Sequence, residues 1–435
     1  MVSFLEGNAI ETEPNLLFDS ADSSAIHPQA YWGLRRFGPF DKTISEIRIG
    51  LIAPISQIAH LRDLIRELHN GVPIFPGGMQ QFFGCDLIVT KEQTVDGIAT
   101  SDYEKAGSNF VASTDPRDVD VVVSFVPRTE RYFSNTPYYR LKAILAANGF
   151  ASQMVTENTF TNLKWSYLNL ASAIFAKAGG TPWVLQSEMP NTDIILGISL
   201  SNFVSYRNRA GERPRYVGYV NVFDSYGRWM FFEGIAQPYS KEERIKNLEQ
   251  LLLRALQKFK AEKGVTPKKF AIHYYKKFGS EEIEATFSVL SKQISDFKVA
   301  FISIDDSHPF RLYDKRTEDG SFPRGYYAYL DKNEALLSTT GFTSISKHRM
   351  GTPKLLHIRL HQRPNEFTNI DEIVYQVLCL TKLDWATATP LVREPVTLQF
   401  SREVAYLSAA ISEQEWSYIN RPEVSTILSR RTWFI

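Results

Sequence analysis

The sequence predicts an α/β protein in two parts, each built around its own β-sheet. Strand and helix patterns alternate in the first half, whereas the second half begins with three strand patterns in succession. At 435 residues the chain is longer than one average domain, which also favours two domains. We place an N-terminal segment at 1–40, a first domain at 41–180 and a second domain at 181–435.

The first half reads as alternating buried strands and helices. Strand patterns are followed by helix patterns at 46–54 and 55–71, at 118–127 and 136–149, and at 151–160 and 166–180. Pro137 suits the first turn of a helix, and Gly149 suits its end. Such alternation implies a parallel sheet with helices on both faces, so we expect a Rossmann-like domain. No GxGxxG motif opens a helix in this half.

The second half has a different order of elements. Strand patterns at 193–200, 214–223 and 228–234 come first, the last two joined as a hairpin, and a long helix, a strand at 268–275, a helix at 280–292 and a strand at 297–305 follow. Ser240 and Glu243 form a capping-box pattern before the long helix. One face of that helix is apolar, with Ile245, Leu248, Leu252, Leu256 and Phe259. This order is that of an RNase H-like domain.

Composition excludes several classes of protein. Charged residues make up 22% and no apolar run reaches the ~20 residues that span a bilayer. The N-terminus lacks the pattern of a secretory signal, so we expect a cytoplasmic protein. Cys85 and Cys379 are predicted to be buried thiols, because their spacing suits neither a disulfide framework nor a zinc site.

The stretch from Lys241 to Lys277 is rich in basic residues. It holds eleven Lys or Arg against four Glu, although the whole chain has a formal charge of only +1. This stretch is either a surface that faces phosphates or the solvated side of a helix and a strand. The sequence leaves both interpretations open.

Several motifs resemble the MID and PIWI domains of Argonaute proteins. The element KAGGTPW, at 177–183, joins the two halves, and further similar stretches are FPGGMQQFFGC, AYLDKNEALLSTTGF, LCLTKLDW, EPVTLQFSREVA and the terminal TWFI. Long Argonautes carry N and PAZ domains before MID, whereas only about 40 residues precede the first strand here. The sequence therefore resembles a short prokaryotic Argonaute.

Polar side chains on the predicted helices converge in a way that suits an anion. Tyr138 and Lys142 are four residues apart on one helix, Asn169 and Lys177 share a face of the next, and Gln153 lies in the turn between them. Rigidly held ammonium, phenol and amide donors are what a 5′-phosphate requires. Each residue alone also fits an ordinary structural role, such as a solvated lysine or a cation at a helix C-terminus.

The resemblance assigns these residues to the binding of a guide strand. The MID pocket of the family has the pattern Tyr, Lys, Gln, Lys, which matches Tyr138, Lys142, Gln153 and Lys177. In relatives with this pattern the C-terminal carboxylate, here that of Ile435, binds Mg²⁺ together with the guide phosphate. The resemblance thus implies Mg²⁺ as the cofactor of this site.

The second domain lacks the carboxylates that the family uses to cut nucleic acid. Ser199 stands at the position of the first aspartate, and 275–277 at the second contains a tyrosine and two lysines. Asp193 lies at the start of the strand, too far from Ser199 to replace that acid. Asp305 and Asp306 are interpreted as a turn and His273 as a packed strand residue. We therefore expect no catalytic residues and no enzymatic activity.

The resemblance implies a guided sensor of invading DNA in prokaryotic immunity. Its expected ligands are a 5′-phosphorylated guide RNA and a complementary single-stranded DNA target. The candidate contacts to the backbones of these strands are the basic stretch 241–277 and the loop residues Arg311, Lys315, Arg324, Lys347 and Arg349. Inactive short Argonautes pair with an APAZ-domain effector chain that carries a TIR, Sir2 or nuclease domain, so a heterodimer is expected. The alternatives are a guide-directed endonuclease with atypical metal ligands and, from the Rossmann-like half, an NAD-dependent or metabolite-binding protein.

Overall fold

The structure, a computed structural model, describes most of the chain. The described residues are 5–128, 135–203, 215–235, 238–315, 317–318, 320–341, 352–361, 367–388, 392–408 and 410–435, with the backbone alone at 201–203 and 215. Among these residues, no helix combines the length and the hydropathy that a membrane span requires.

The first 185 residues contain ten strands and seven helices within the described ranges. The strands are β1 Gly7–Ala9, β2 Leu16–Leu17, β3 Ile26–His27, β4 Glu46–Pro54, β5 Gly71–Val72, β6 Phe75–Pro76, β7 Asp86–Val95, β8 Val121–Phe125, β9 Ala151–Val155 and β10 Val184–Leu185. The helices are α1 Ala30–Phe37, α2 Ile58–Asn70, α3 Gly78–Phe83, α4 Thr100–Ala112, α5 Pro137–Ala147, α6 Glu157–Thr161 and α7 Leu163–Lys177.

The remaining described residues add eight strands and six helices. The strands are β11 Ile194–Phe203, β12 Arg215–Asp224, β13 Trp229–Gly234, β14 Lys269–Tyr274, β15 Lys298–Asp305, β16 Tyr326–Asp331, β17 Glu334–Leu337 and β18 Leu356–His361. The helices are α8 Arg244–Lys263, α9 Ser280–Gln293, α10 Ile370–Leu380, α11 Val396–Ser408, α12 Glu413–Ile419 and α13 Pro422–Leu428.

The first half is organised around a four-stranded parallel sheet. Its order is β7-β4-β8-β9, and all three neighbouring pairs run in parallel. One face packs α4 and α5 over a core that includes Phe110 and Leu141, and the opposite face carries α2 and α7. The predicted Rossmann-like outline is confirmed, with β7 as an edge strand that the sequence patterns did not reveal.

The second half is organised around a nine-stranded mixed sheet. Its order is β1-β16-β17-β18-β15-β14-β11-β12-β13, in which β11, β14 and β15 run parallel at the centre. Helices α8 and α9 cover one face, and α10 and α11 cover the other. The predicted hairpin is present, since β12 and β13 pair antiparallel. The Asp224 carboxylate stabilises its turn by accepting hydrogen bonds from the N–H groups of Tyr226 and Arg228. The α/β fold class is confirmed.

The long helix starts later than its capping-box pattern predicts. Ser240 and Glu243 do contact each other, with the Ser240 N–H donating to the Glu243 carboxylate at 2.9 Å. The regular helix nevertheless begins at Arg244, so that Glu243 rather than Ser240 precedes its first turn. The predicted apolar face is largely correct, because Leu248, Leu252, Leu256 and Phe259 are buried.

The N-terminal segment is integrated into the second half. Strand β1 pairs antiparallel with β16 at the edge of the nine-stranded sheet. Glu13 accepts hydrogen bonds from Arg324, whose side chain is fully buried, and lies 3.1 Å from the Lys382 ammonium. Arg324, which the sequence suggested as a surface contact for nucleic acid, is therefore part of an internal ion cluster; that expectation was wrong.

Candidate functional site

Helix α5 carries two cationic side chains into the interior. The Thr136 hydroxyl accepts a hydrogen bond from the Tyr139 N–H, and Pro137 occupies the first turn, so the sequence fixes where the helix begins. Arg140 and Lys142 are each only 2% exposed. Burial of two cations on one short helix is costly unless each has a partner.

Lys142 reaches the end of the chain. Its ammonium group donates hydrogen bonds to the main-chain oxygens of Phe434, at 3.0 Å, and Ile435, at 2.8 Å. The ammonium also lies 5.5 Å from the ring centroid of Tyr138. The spacing of Tyr138 and Lys142 therefore does bring their side chains together on one face of α5.

Lys177 ends helix α7 and is completely buried. The helix stops there because Gly179 adopts φ +101°, a conformation that favours glycine. The Lys177 ammonium donates to Oε1 of Gln153 at 2.9 Å. Gln153 lies at the centre of strand β9, so the expectation that it lies in a turn was wrong. Its side chain is nevertheless beside Lys177, as the site pattern requires.

The two lysines form a centre of positive charge in the interior. Burial lowers the pKa of Lys142 to about 8, with Glu403 acting in the opposite direction. Burial, followed by the charge of Lys142, lowers the pKa of Lys177 well below its usual range, although Asp384 and Glu403 partly oppose the shift. The charge of Lys142 thus disfavours the protonation of Lys177, and an anion placed beside the pair would oppose both shifts.

The tail of the chain is held between the two sheets. Arg431 donates to the main-chain oxygen of Asp120 at 3.0 Å and approaches its carboxylate, which also binds Arg48 through two hydrogen bonds of 3.0 Å. On the other side, Trp433 and Phe434 are 1% exposed. Their rings pack among aromatic residues of the second half: Trp229, Phe232 and Phe400. These contacts fix the main-chain oxygens that Lys142 binds.

Asn169 is engaged elsewhere. Its amide oxygen accepts from the Ala388 N–H at 2.9 Å, and its amide nitrogen donates to the Trp165 carbonyl at 3.3 Å. The shared helix face with Lys177 does not bring it into the hydrogen bonds of the lysine pair. Tyr138, Gln153 and Ile435 are only half-buried, so the site has a partly open side.

The donor set accepts a divalent cation only together with an anion. Within the described residues no group of three or more His, Cys, Asp or Glu is placed to hold a metal. At the lysine pair the chain offers the oxygens of Ile435 and Gln153 beside two ammonium groups. Mg²⁺ prefers several oxygen ligands and would be repelled by the ammonium charges, so it fits here only with the oxygens of a bound phosphate.

Sequence reasoning missed the residues that support the pair. Arg140 donates to Glu104 at 2.7 Å and to Glu415 at 3.0 and 3.1 Å, and it also binds the carbonyl of Ala410. It thereby ties α5 to α4 and α12. The available signal was a second cation, beside Lys142, in a largely apolar helix, whereas the partners of Arg140 are distant in sequence.

An open cavity of about 330 Å³ lies beside Ser199 and Tyr275, where the sequence lacks the carboxylates that the family uses for cutting. Ser199 is 2% exposed at the centre of the sheet, and Tyr275, which follows β14, is 43% exposed. As expected, Asp305 caps a turn, accepting from the Ser307 N–H at 2.7 Å. His273 is buried between Thr397 and Gln376, each 2.9 Å away, so its expected role as a packed strand residue is confirmed.

The basic stretch from Lys241 to Lys277 is partly paired. Lys258 lies 3.2 Å from Glu233, Lys263 lies 2.6 Å from Asp224, and Arg244 contacts Glu281. Exposed lysines remain at positions 241, 246, 260, 268, 276 and 277. Of the loop residues suggested as nucleic-acid contacts, Arg311 and Lys315 are exposed, whereas Lys347 and Arg349 lie outside the described residues. Cys85 and Cys379 are buried free thiols, as predicted.

Comparison with known proteins gives the same picture of the fold. Residues 130–411 match the model of the Piwi domain family. The chain is 23% identical over 450 aligned positions to an Argonaute protein of Cereibacter sphaeroides, covering 93% of this chain and 56% of the relative. It is 22% identical to an Argonaute of Aquifex aeolicus over 67% of this chain and 39% of the relative. The chain thus spans about half the length of these relatives, or less.

Solved structures of Argonaute proteins resemble the chain over most of its length. Clostridium butyricum Argonaute bound to a guide DNA and a 19-mer target DNA superimposes with a TM-score of 0.70 at 17% identity, covering 94% of this chain and 54% of that one. A. aeolicus Argonaute gives a TM-score of 0.65 at 17% identity, with coverage of 94% and 54%. At this identity the likeness concerns the fold. Since the family model covers more than half of the sequence, the chain belongs to the Piwi family.

Proposed function

We propose that this protein binds a nucleic-acid guide by its 5′-phosphate at the pair Lys142 and Lys177. The observation that carries the proposal is the burial of both ammonium groups beside Gln153 and the chain terminus. A phosphate dianion would supply the charge that the interior lacks, through charge-assisted hydrogen bonds from rigid helices. A strand that ends in a 5′-hydroxyl would not supply this negative charge.

Further residues complete the proposed guide site. Tyr138 is half-buried beside Lys142, which suits stacking on the first base, a contact worth roughly 1–3 kcal/mol in single-strand binders. Asn169, which shares a helix face with Lys177, would contact the guide beyond its phosphate. Mg²⁺ would be held between the phosphate and the carboxylate of Ile435, where it would screen their mutual repulsion.

The proposal includes binding of a target without cutting it. Ser199 and the segment 275–277 supply no carboxylate at the centre of the sheet, and two-metal cleavage depends on carboxylates that hold both ions. Base pairing with the guide, rather than side chains, would select the target sequence. We propose guide RNA and single-stranded DNA as the pair of strands, as the resemblance to short prokaryotic Argonautes implies.

A protein that binds but does not cut requires an effector. We propose that the chain is an inactive, short MID–PIWI Argonaute that senses invading DNA inside a prokaryotic cell. It would pair with an APAZ-domain chain bearing a TIR, Sir2 or nuclease domain. Co-expression with such a chain should give an NAD-consuming or nuclease activity that requires both guide and complementary target.

The guide site is tested by binding of RNAs that differ only at the 5′ end. The wild-type protein should prefer 5′-phosphate over 5′-hydroxyl RNA, and the variant Lys142→Ala/Lys177→Ala should lose about 100-fold or more in affinity for the phosphorylated strand, since each charged hydrogen bond contributes ~1.5–3 kcal/mol. Lys164→Ala is the matched control, because Lys164 is an exposed lysine on the same helix as Lys177. Equal binding of both RNAs by the wild type, or an unaffected double variant, would refute the site.

A cleavage assay separates the proposal from its main alternative. The purified chain, loaded with guide and given Mn²⁺ and a complementary strand, is expected to leave that strand intact. Guide-dependent products would instead establish an endonuclease with atypical metal ligands. Binding of NAD by the chain without nucleic acid would favour a dinucleotide-binding function of its first sheet.

A further inference from the structure

The lysine pair faces two carboxylates from the second half of the chain. Glu403 lies on α11, and Asp384, which is 1% exposed and accepts from the Gln399 amide at 2.7 Å, lies between α10 and α11. Against the dominant effect of burial, Glu403 raises the pKa of Lys142 and Lys177, and Asp384 raises that of Lys177. None of the ion pairs in the described part of the chain joins either carboxylate to these lysines, so both act through space.

The geometry of α11 explains why Glu403 faces the pair. The ring of Phe400 packs on that of Phe434, with 5.1 Å between the two centroids. Glu403 follows Phe400 by three residues and Gln399 by four, so it lies on the same side of the helix as both. The main-chain oxygen of Phe434 is one of the two that accept from Lys142. Glu403 is thus directed towards the end of the chain that Lys142 binds.

Glu403 has no neutralising partner of its own. It is half-buried, and within the described residues no hydrogen bond or ion pair involves its carboxylate. The preceding residue, Arg402, binds Glu394 on the side of α11 that lines the central cavity. A half-buried charge is screened less by solvent and salt than an exposed one, so an unpaired carboxylate at this position acts strongly on nearby charges.

A guide phosphate would meet both attraction and repulsion at this site. The ammonium groups of Lys142 and Lys177 would donate hydrogen bonds to it. Glu403 and Asp384 already match these two cations in number, so a phosphate dianion would add negative charge beside carboxylates. Like charges placed together oppose binding, and a divalent cation beside the phosphate would offset that repulsion.

We propose that Glu403 opposes the 5′-phosphate of the guide and so makes guide loading depend on a divalent cation. Without the cation the phosphate meets the uncompensated charge of Glu403, whereas with the cation the attraction of the lysine pair prevails. The inference rests on the proposed function, because it takes the phosphate to bind at Lys142 and Lys177. It goes further by assigning to a residue of α11 the control over when that phosphate is accepted.

Guide titrations with and without metal test the proposal. RNAs that carry a 5′-phosphate or a 5′-hydroxyl are titrated into the full chain in Mg²⁺ and, at equal ionic strength, in EDTA. The affinity of the wild type for the phosphorylated RNA should fall about 100-fold in EDTA. In Glu403→Gln the affinity in EDTA should be about tenfold higher than that of the wild type, because one repulsive charge is removed. The substitution should not change the affinity for the 5′-hydroxyl RNA in either buffer.

Three further variants separate the charge of Glu403 from its packing. Glu403→Ala removes the same charge with a different side chain and should show the same gain in EDTA, so the result does not depend on how one variant folds. Glu403→Asp keeps the charge and should retain the metal requirement. Glu284→Gln is the matched control, because Glu284 is exposed on α9, which covers the opposite face of the nine-stranded sheet from α11. Its affinities should match those of the wild type in both buffers.

The opposite outcomes are distinct. The proposal would be overturned by a wild type that binds the phosphorylated RNA equally well in both buffers, by Gln and Ala variants without a gain in EDTA, or by an equal gain for the 5′-hydroxyl RNA. The preference for a 5′-phosphate in Mg²⁺ is recorded in the same titrations. Absence of that preference in the wild type would show failure of the proposed guide site, whereas its presence without any effect of Glu403 shows failure of this inference alone.

Discussion

The ammonium group of Lys142 donates a hydrogen bond to the main-chain oxygen of Ile435 across 2.8 Å, although 293 positions separate the two residues. The contact joins a helix of the first sheet to the last residue of the sequence. Lys177 extends the same positive centre and bonds to an uncharged amide oxygen. Two buried ammonium groups lower the free energy of unfolding unless an anion lies beside them. The stability of the guide-free protein therefore tests whether the pair lacks an anion.

Lys177→Met should separate stability from binding. The substitution removes a completely buried charge that lies close to Lys142 and keeps an apolar side chain of similar length. We expect the free energy of unfolding of the empty protein to stay unchanged or to rise by about 1–3 kcal/mol, while affinity for a 5′-phosphorylated guide falls. Chemical denaturation and guide titration on the same sample measure both quantities. A large loss of stability would contradict this account of the pair.

Guide binding should depend on pH in the alkaline range. Because burial lowers the pKa of Lys142 to about 8, part of the empty protein is deprotonated at this position above pH 8. A phosphate restores the charged form, so binding should take up protons, and affinity should fall as the pH rises from 8 to 9.5. Calorimetry in buffers of different ionisation enthalpy measures the uptake. A 5′-hydroxyl guide is the control and should bind without it.

Arg140 should contribute strongly to the joint between the two halves. Its loss would leave the half-buried Glu415 without its cationic partner and the carbonyl of Ala410 without its donor, so Arg140→Met is expected to lower the free energy of unfolding by about 3–5 kcal/mol. The control is Arg117→Met, since Arg117 pairs with Asp115 on the surface with 82% of its side chain exposed. That change should leave the free energy of unfolding close to the wild-type value. Urea denaturation of both variants gives the comparison.

His273 should make the protein sensitive to mild acid. Burial lowers its pKa to about 4, so the folded state keeps the neutral ring while the unfolded chain binds a proton below pH 6.5. Stability tied to this residue is therefore complete above pH 6.5 and is lost as the pH falls towards 4, by up to about 3 kcal/mol. The difference in unfolding free energy between wild type and His273→Gln should shrink over that interval.

The regular elements were predictable where side-chain periodicity was strong. Strand β4 and helices α5, α8 and α9 begin or end close to the expected residues, because apolar spacing and terminal proline or glycine signals agree there. Strand β7 escaped detection because it lies at the sheet edge with only Leu87 and Val95 buried, whereas Thr90, Glu92 and Thr94 are exposed. A pattern of burial cannot reveal a strand that has little buried surface.

The site was predictable only in part. Four-residue spacing on a helix explains the contact between Tyr138 and Lys142, whereas the contact between Lys177 and Gln153 depends on where β9 packs, which only the family resemblance suggested. The contacts of Arg140 with Glu415 join residues 275 positions apart. No local rule of sequence contains such pairings, since they follow from how the two sheets meet.

The pairing of β1 with β16 constrains how the molecule is made. Gly7 lies opposite Ala328, so this segment finds its neighbour only after the chain between the two residues has been translated. At ~5–20 residues per second, this delay amounts to roughly 15–60 s. The contact of Glu13 with Arg324 forms after a similar delay, because 311 positions separate the two residues. During that interval β1 must therefore remain unpaired, and the nine-stranded sheet acquires this outer strand only after β16 has been synthesised.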